Sequence, residues 1–77
     1  MAKSELTPAQ IVRYRREELG LSRERIAVAA GLSSATLTRL ESGGPLPKFS
    51  KLVKLADALG ISVVEIVEAA ERGRVAS

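Results

Sequence analysis

The chain has 77 residues, of which 45% are hydrophobic and 27% charged, with a net charge of +3 and a pI near 9.8. This length allows one small domain, and the balance of hydrophobic and charged residues is typical of a folded protein. Cysteine and histidine are both absent, which excludes thiol chemistry, the usual zinc sites and imidazole acid–base catalysis. We therefore expect no enzymatic activity, no cofactor and no metal site.

The sequence contains no segment typical of membrane insertion or export. No apolar stretch approaches the roughly 18 residues of a membrane span, and the N-terminal MAKSELTPAQ lacks the hydrophobic segment of a signal peptide. The absence of cysteine fits a reducing compartment. These features predict a cytoplasmic protein with no membrane partner.

The basic residues are concentrated in one part of the chain. Between Gln10 and Lys54 there are nine basic and four acidic residues, whereas from Leu55 onward there are four acidic and two basic residues. A local excess of positive charge favours an anionic partner such as nucleic acid, although a solvated charged face would give the same pattern. Charge alone leaves both interpretations open.

The first two predicted helices are bounded by capping residues and glycines. Thr7 and Gln10 have the capping-box pattern of a helix start, and this helix ends near Gly20. Ser22 caps a second helix that ends at Gly31. The residues expected on the inner faces are Ile11, Val12 and Leu19 in the first helix and Ile26, Ala27 and Ala30 in the second.

Three more helices follow. The third begins at Ser33 and ends before Gly43, the fourth covers about 48–59 and ends at Gly60, and the fifth is capped by Ser62. Their expected inner residues are Leu37 and Leu40, then Leu52, Leu55, Ala56 and Leu59, then Val63, Ile66, Val67 and Ala70. No alternating pattern of a β-strand occurs, so the sequence predicts an all-α fold.

These elements place a single domain at residues 7–72. Residues 1–6 precede the first cap, and residues 73–77 follow the last apolar face. We expect both ends, 1–6 and 73–77, to be flexible.

The stretch from Arg23 to Ser42, RERIAVAAGLSSATLTRLES, predicts two short helices joined by a tight turn. Ala27 is small where the helices would cross closely, Gly31 tolerates a positive φ in the turn, and Leu32 fills the angle between the helices. The leucines of the later of these two helices, which is the third helix of the chain, hold it against the core and leave its other side free.

This spacing resembles the helix-turn-helix of the phage repressor and Cro-like family, also called the Xre family. The resemblance covers about residues 10–68 and includes ELGLS before the motif, the ending LESG, Pro47 and the segment LVKLADALGISVVEIV. It implies a compact five-helix lambda-repressor-like DNA-binding domain, with the helix-turn-helix formed by helices 2 and 3. It also implies that the third helix (about 33–42) enters the major groove of double-stranded DNA.

The positions that read bases in this family match Ser34, Ala35, Thr38 and Arg39. With the leucines placed inward at about 100° per residue, Ala35, Thr38 and Arg39 point outward and Ser34 lies at the border. Only Arg39 has the fork that matches O6 and N7 of guanine, and it could instead contact phosphate or remain an exposed charge. Because the other side chains are short, sequence preference is expected to depend partly on DNA shape.

The resemblance also implies phosphate contacts. Arg23 matches a family position that touches the DNA backbone, and Ser22 and Ser33 cap helices whose free amides point towards phosphates in the family. Lys48 and Lys51 begin the fourth helix, which also faces the backbone there. Lys48 departs from the family pattern, because a Ser or Thr cap is common at its position.

Arg16 and Glu41 are expected to form a structural ion pair. Both lie on inner helix faces, and an unpaired charge facing a core would be costly. The family has a matching Arg–Glu pair that links its first and third helices. We expect this pair to hold the third helix at its angle.

Leu46, Phe49 and Val64 are apolar residues that the predicted core faces do not all need. The family often forms a twofold dimer through the corresponding regions, which sets two recognition helices about 34 Å apart. These three residues are therefore the expected homodimer interface, although Phe49 could simply cover the small core.

The sequence thus favours a sequence-specific transcriptional regulator, such as a small repressor or Cro-like protein, that binds double-stranded DNA. The alternative is a protein-interaction module on the same fold, such as an antitoxin or an adaptor. In that case the acidic and apolar fifth helix, with Glu65, Glu68 and Glu71 beside Val64, would dock a protein partner.

Overall fold

The computed structural model describes residues 6–76, with side chains described through residue 73, and this part of the chain forms five α-helices and no strand. The helices are α1 (Pro8–Glu18), α2 (Arg23–Ala30), α3 (Ser34–Glu41), α4 (Phe49–Leu59) and α5 (Val63–Ala76). Helix α1 packs against α3 and α5, α2 packs against α3 and α4, and α4 also packs against α5. The predicted all-α fold is confirmed. None of the helices in this range has the length and hydropathy needed to cross a membrane.

Short-range hydrogen bonds start the first three helices. Thr7 and Gln10 form the capping box, in which each side chain accepts a hydrogen bond from the backbone amide of the other residue. The hydroxyls of Ser22 and Ser33 each accept a hydrogen bond of 3.1 Å from the amide three residues later. Each cap satisfies an amide that would otherwise lack a partner in the first helical turn. Helix α4 differs, because Lys48 at its N-cap position provides no side-chain hydrogen bond.

The core consists of aliphatic side chains from all five helices. The buried hydrophobic residues are Ile11, Val12, Ile26, Ala27, Ala30, Leu37, Leu40, Leu52, Leu55, Ala56, Leu59, Ile66 and Ala69. Two predicted core positions are wrong. Leu19 is 40% exposed because α1 ends at Glu18 and Leu19 is already its C-cap. Val67 is 37% exposed, whereas Ala69 is buried because it follows Ile66 by three residues and shares its face.

Helix α5 extends beyond the end expected from sequence. Residues 73–76, placed in a flexible tail, are helical, because Gly73 does not adopt the positive φ that would end the helix. Leu6, placed in the flexible N-terminus, packs against the core and accepts a hydrogen bond at its carbonyl from Arg72. Residues 1–5 and Ser77, also expected to be flexible, lie outside the described residues.

The loop after α3 approaches the helix closely. Gly43 has a φ of +95°, and the amide of Gly44 donates a hydrogen bond of 2.8 Å to the carbonyl oxygen of Arg39. A Cβ atom on Gly44 would lie 2.8 Å from that oxygen and 3.2 Å from its carbon. Because the obstacle is backbone, a larger residue would displace the end of α3.

We predict that Gly44→Ala destabilises the protein by about 1–3 kcal/mol, the usual cost of forcing extra atoms into a closely packed site. Thermal unfolding followed by circular dichroism measures this change. Gly73→Ala is the matched control, because its Cβ would meet nothing within 4 Å and alanine favours a helix more than glycine does. Equal melting temperatures for Gly44→Ala and the unmodified protein would contradict the prediction.

Candidate nucleic-acid interface

Helix α3 buries one side and presents the other to solvent. Leu37 and Leu40 are buried, and Ser34, Ala35, Thr38 and Arg39 are all exposed. At about 100° per residue, these four exposed positions fall within an arc of about 140°. The structure thus brings the four sequence-predicted base-contacting residues together on one solvent-facing surface.

The side chain of Arg39 is oriented by a residue that the sequence analysis did not identify. Nη2 of Arg39 lies 3.4 Å from Oγ1 of Thr36, and this hydroxyl lies 2.9 Å from Oγ of the capping residue Ser33. Thr36 is half-buried, so a search for outward-facing positions misses it. The sequence does contain a signal for these contacts. Thr36 lies three residues after Ser33 and three before Arg39, and residues with this spacing are neighbours on a helix.

Glu41, the last residue of α3, accepts hydrogen bonds from two arginines. Arg16 donates from Nε to Oε2 at 2.8 Å and from Nη2 to Oε1 at 3.0 Å. Arg23 donates from Nε to Oε1 at 3.0 Å. The Glu41 side chain is 2% exposed, that of Arg16 11% and that of Arg23 46%. The expected pair therefore links α1 to α3, and Arg23, expected only as a phosphate contact, joins the start of α2 to the same carboxylate.

The charges of this cluster stabilise one another. Burial by itself raises the pKa of Glu41, but hydrogen bonds and charge from Arg16 and Arg23 outweigh burial, so the pKa of Glu41 is lowered from its ordinary value of 4.5. The hydrogen bond to Glu41 raises the pKa of Arg16. Both groups are therefore ionised at neutral pH. The remaining Nη1 of Arg16 donates to the carbonyl oxygen of Leu21 at 3.0 Å.

Not all of the basic residues counted in the sequence face a partner. Nε of Arg15 donates a hydrogen bond of 2.7 Å to the carbonyl oxygen of Leu59, the last residue of α4. A cation at a helix C-terminus is favourable because the free carbonyls there carry partial negative charge. Arg15 and Arg16 therefore hold helices together, and the positive charge available to an anion comes from the other basic residues.

The two lysines at the start of α4 have different surroundings. A Cβ atom built on Gly31, which ends α2 with a φ of +69°, would lie 3.0 Å from Nζ of Lys51. The Lys51 ammonium group thus lies beside the turn of the helix-turn-helix. Its positive charge there interacts favourably with the free carbonyl groups at the end of α2. Lys48 is exposed, and the first amides of α4 have no side-chain cap.

The three residues predicted for a dimer interface differ in exposure. Phe49 is 64% exposed and Val64 53% exposed, whereas Leu46 is half-buried against the core. Leu46 also lines a groove of about 650 Å³ with residues from the start of α1 and the second half of α5, and neither Phe49 nor Val64 lines that groove. These three residues therefore do not line one continuous surface.

Helix α3 is exposed and polar, follows a tight glycine turn, is held by buried leucines and is flanked by serine-capped helix starts. This arrangement defines a helix-turn-helix protein of the DNA-binding class. The helix-turn-helix family model matches residues 12–66, and the chain belongs to this Xre/Cro-like helix-turn-helix family. It is also 39% identical over 67 residues to a protein of Sinorhizobium fredii (strain NBRC 101917 / NGR234) named as an uncharacterized HTH-type transcriptional regulator. That match covers 87% of this chain and 86% of the relative. The recognition of the family from sequence is confirmed.

We predict that Glu41→Gln lowers the free energy of unfolding by about 3–5 kcal/mol, because it leaves the buried Arg16 cation without a counter-charge. The matched control is the double variant Arg16→Met/Glu41→Leu, which removes both buried charges and should retain most of the stability. Chemical denaturation compares the three proteins. A double variant as unstable as Glu41→Gln would show that the cost is not that of an unpaired charge.

The same variants give a pH dependence. Because the pKa of Glu41 is lowered in the folded state, its stabilisation is fully present above its ordinary pKa of 4.5 and is lost as pH falls through the lowered value. The difference in stability between the unmodified protein and Glu41→Gln should therefore be constant above about pH 5.5 and shrink below about pH 4.5. Unfolding measured from pH 7 to pH 3 checks this, and a gap that widens with acid would contradict it.

Proposed function

We propose that this protein is a sequence-specific transcriptional regulator, with no catalytic role, that places α3 in the major groove of double-stranded DNA. The observation that carries the proposal is the position of Ser34, Ala35, Thr38 and Arg39 on the exposed side of a helix anchored by buried leucines and a buried ion pair. Membership of a helix-turn-helix family supports DNA as the partner. The name of the Sinorhizobium fredii relative supports a role in transcription.

Base recognition is assigned mainly to Arg39. Its guanidinium group can donate two hydrogen bonds to O6 and N7 of guanine, a contact that discriminates by roughly 1–3 kcal/mol against another base. The hydrogen bond from Arg39 to Thr36 limits the conformations of its side chain before DNA is bound. Ala35 and the methyl group of Thr38 suit thymine methyl groups, and Ser34 suits a base edge or a phosphate.

Contacts to the DNA backbone are assigned to residues around α3. Arg23 and Lys48 are exposed cations at the starts of α2 and α4, and Lys51 lies beside the turn that precedes α3. The serine-capped starts of α2 and α3, at Ser22 and Ser33, offer backbone amides to phosphates. A dimer making six or more such contacts should show a slope of roughly −5 in log affinity against log salt concentration.

We also propose that the protein binds its operator as a symmetric dimer. The support is the exposure of Phe49 and Val64, which leaves both predicted interface side chains available for contact with a second copy of the chain. Half-sites one turn of duplex apart, about 34 Å, are expected for this arrangement. Selection of bound duplexes from a random pool, together with sedimentation of the free and bound protein, tests both the palindrome and the dimer.

A protein-interaction role on the same fold is the second candidate. On α5, Val64 and Val67 are exposed beside the exposed Glu68, a combination that suits a partner with apolar and basic groups. Chemical-shift mapping with a duplex separates the two candidates. Changes confined to α2, α3 and the start of α4 favour the DNA-binding regulator, whereas an unaffected α3 excludes it.

We predict that Arg39→Ala reduces the preference for a selected duplex over random DNA by about 10-fold or more, because it removes the one bidentate base contact. Arg23→Ala should weaken binding to both duplexes alike, because a phosphate contact carries no sequence information. Fluorescence anisotropy titrations with both duplexes measure the two affinities.

The matched control for Arg39→Ala is Arg72→Ala, which removes the same charge from the exposed side of α5 together with one exposed hydrogen bond to Leu6. This change should leave the preference between the two duplexes unchanged. If Arg39→Ala lowers the two affinities equally, Arg39 is a phosphate contact and not a base contact.

A further inference from the structure

Arg23 belongs both to the buried ion-pair cluster and to the exposed surface. Its Nε donates a hydrogen bond of 3.0 Å to Oε1 of Glu41, and the same oxygen accepts a second hydrogen bond from Arg16. The Glu41 side chain is 2% exposed, yet that of Arg23 is 46% exposed. The hydrogen bonds of Arg23 in the described part of the chain use only Nε, so its two Nη groups remain available as donors.

One hydrogen bond to Glu41 restricts the orientation of the Arg23 guanidinium group but leaves its Nη donors available. A guanidinium group is planar, and its five N–H donors have a fixed fork geometry, so a hydrogen bond at Nε fixes the directions in which the Nη groups donate. A free arginine would lose that conformational freedom only when it binds a ligand, which weakens binding. Because Arg16 already balances the charge of Glu41, Arg23 keeps its positive charge for an anion.

We propose that Glu41 is a positioning residue for DNA binding, which acts through Arg23 by holding its guanidinium group ready for a backbone phosphate. This inference rests on the proposed function. Glu41 is the last residue of α3 and Arg23 the first residue of α2. A phosphate bound by Arg23 is therefore linked through a single carboxylate to the helix that faces the bases, which fixes the position of α3 relative to the DNA backbone.

The test compares the effect of Arg23→Ala in two backgrounds. One is the unmodified protein, and the other is Arg16→Met/Glu41→Leu, which lacks the carboxylate but replaces the buried pair with apolar groups. Affinity for one selected duplex is measured by fluorescence anisotropy at constant salt. Arg23→Ala should weaken binding by about 10-fold in the unmodified protein, as expected for one charge-assisted hydrogen bond. The loss should be about threefold or less in the apolar background, where Arg23 is no longer held in place.

Two results of this comparison would overturn the inference. Equal losses in both backgrounds would show that Glu41 does nothing for Arg23. A larger loss in the apolar background would show that Glu41 competes with the phosphate for Arg23. If circular dichroism shows that this background is unfolded, Arg16→Leu/Glu41→Met, a second apolar pair of similar volume that also lacks an acceptor for Arg23, replaces it with the same expected and contrary outcomes.

Arg23→Lys separates positioning from simple charge. Lysine keeps the positive charge, so the dependence of affinity on salt should match that of the unmodified protein, whereas Arg23→Ala should reduce the slope by about 0.9. An ammonium group lacks the fork that bonds a carboxylate and a phosphate in fixed directions, so the affinity of Arg23→Lys should stay several-fold below that of the unmodified protein. Full recovery by lysine would refute the positioning role.

Failure of the inference is distinguishable from failure of the proposed function. If the unmodified protein shows no preference among duplexes and Arg39→Ala has no effect, the proposed function is wrong. If binding depends on Arg39 but the effect of Arg23→Ala is the same in both backgrounds, the DNA-binding function stands and only the positioning role of Glu41 is refuted.

Discussion

A single buried carboxylate, that of Glu41, links the two helices of the helix-turn-helix to each other and to α1. Leu37 and Leu40 anchor α3 to the core through apolar contacts, which are not directional and would tolerate rotation or sliding. Glu41 adds direction, because the bidentate bond from Arg16 has a fixed planar geometry and the bond from Arg23 approaches from α2. Three helices therefore meet at the end of α3. Among the residues described, the core has no buried aromatic side chain, and this cluster is its directional contact between α1, α2 and α3.

The basic residues illustrate how one side-chain type divides between structure and recognition. Arg15 bonds a carbonyl oxygen at the end of α4, Arg16 is buried against Glu41, and Arg23 is shared between Glu41 and solvent. Arg39 is exposed on the outer side of α3. The number of basic residues counted in the sequence is therefore larger than the number of cations that can contact a partner. An arginine beside a helix C-terminus or a buried carboxylate stabilises the fold and does not face a partner. Which arginines do so depends on tertiary contacts, which the residue count does not show.

The features predictable from sequence were those with local causes. Thr7, Ser22 and Ser33 cap helices through bonds that span three residues, and Gly31 and Gly60 end helices because they adopt a positive φ. The helix order and most of the core followed from these boundaries and the apolar spacing.

The errors and omissions depend on contacts between distant segments or on the rotational phase of a helix. The exposure of Leu19 and Val67 reflects where α1 ends and how α5 is rotated. The bond from Arg23 to Glu41 spans 18 residues, and the close approach of Gly44 to Arg39 depends on the path of a loop. The four predicted base-contacting residues therefore share one exposed helix face, as their spacing predicted, and their role in DNA binding stays a prediction. Of the contacts that support this helix, the bonds that Glu41 receives from Arg23 and that Gly44 makes to Arg39 were invisible in the sequence.

The short side chains of α3 make these supporting contacts important for the proposed function. Serine, alanine and threonine reach only a short distance from the helix axis, so Ser34, Ala35 and Thr38 can touch base edges only if the backbone of α3 lies deep in the groove. Such contacts tolerate little displacement, and none of these residues can compensate by adopting a longer rotamer. In the proposed complex, the position of α3 would then be set by the groups assigned to the DNA backbone, namely Arg23 and the amides at the capped helix starts. Because Arg23 is bonded to the last residue of α3, the proposed complex would couple phosphate position to groove depth. We therefore expect a preference for DNA whose backbone geometry fits this spacing, even at bases that no side chain contacts.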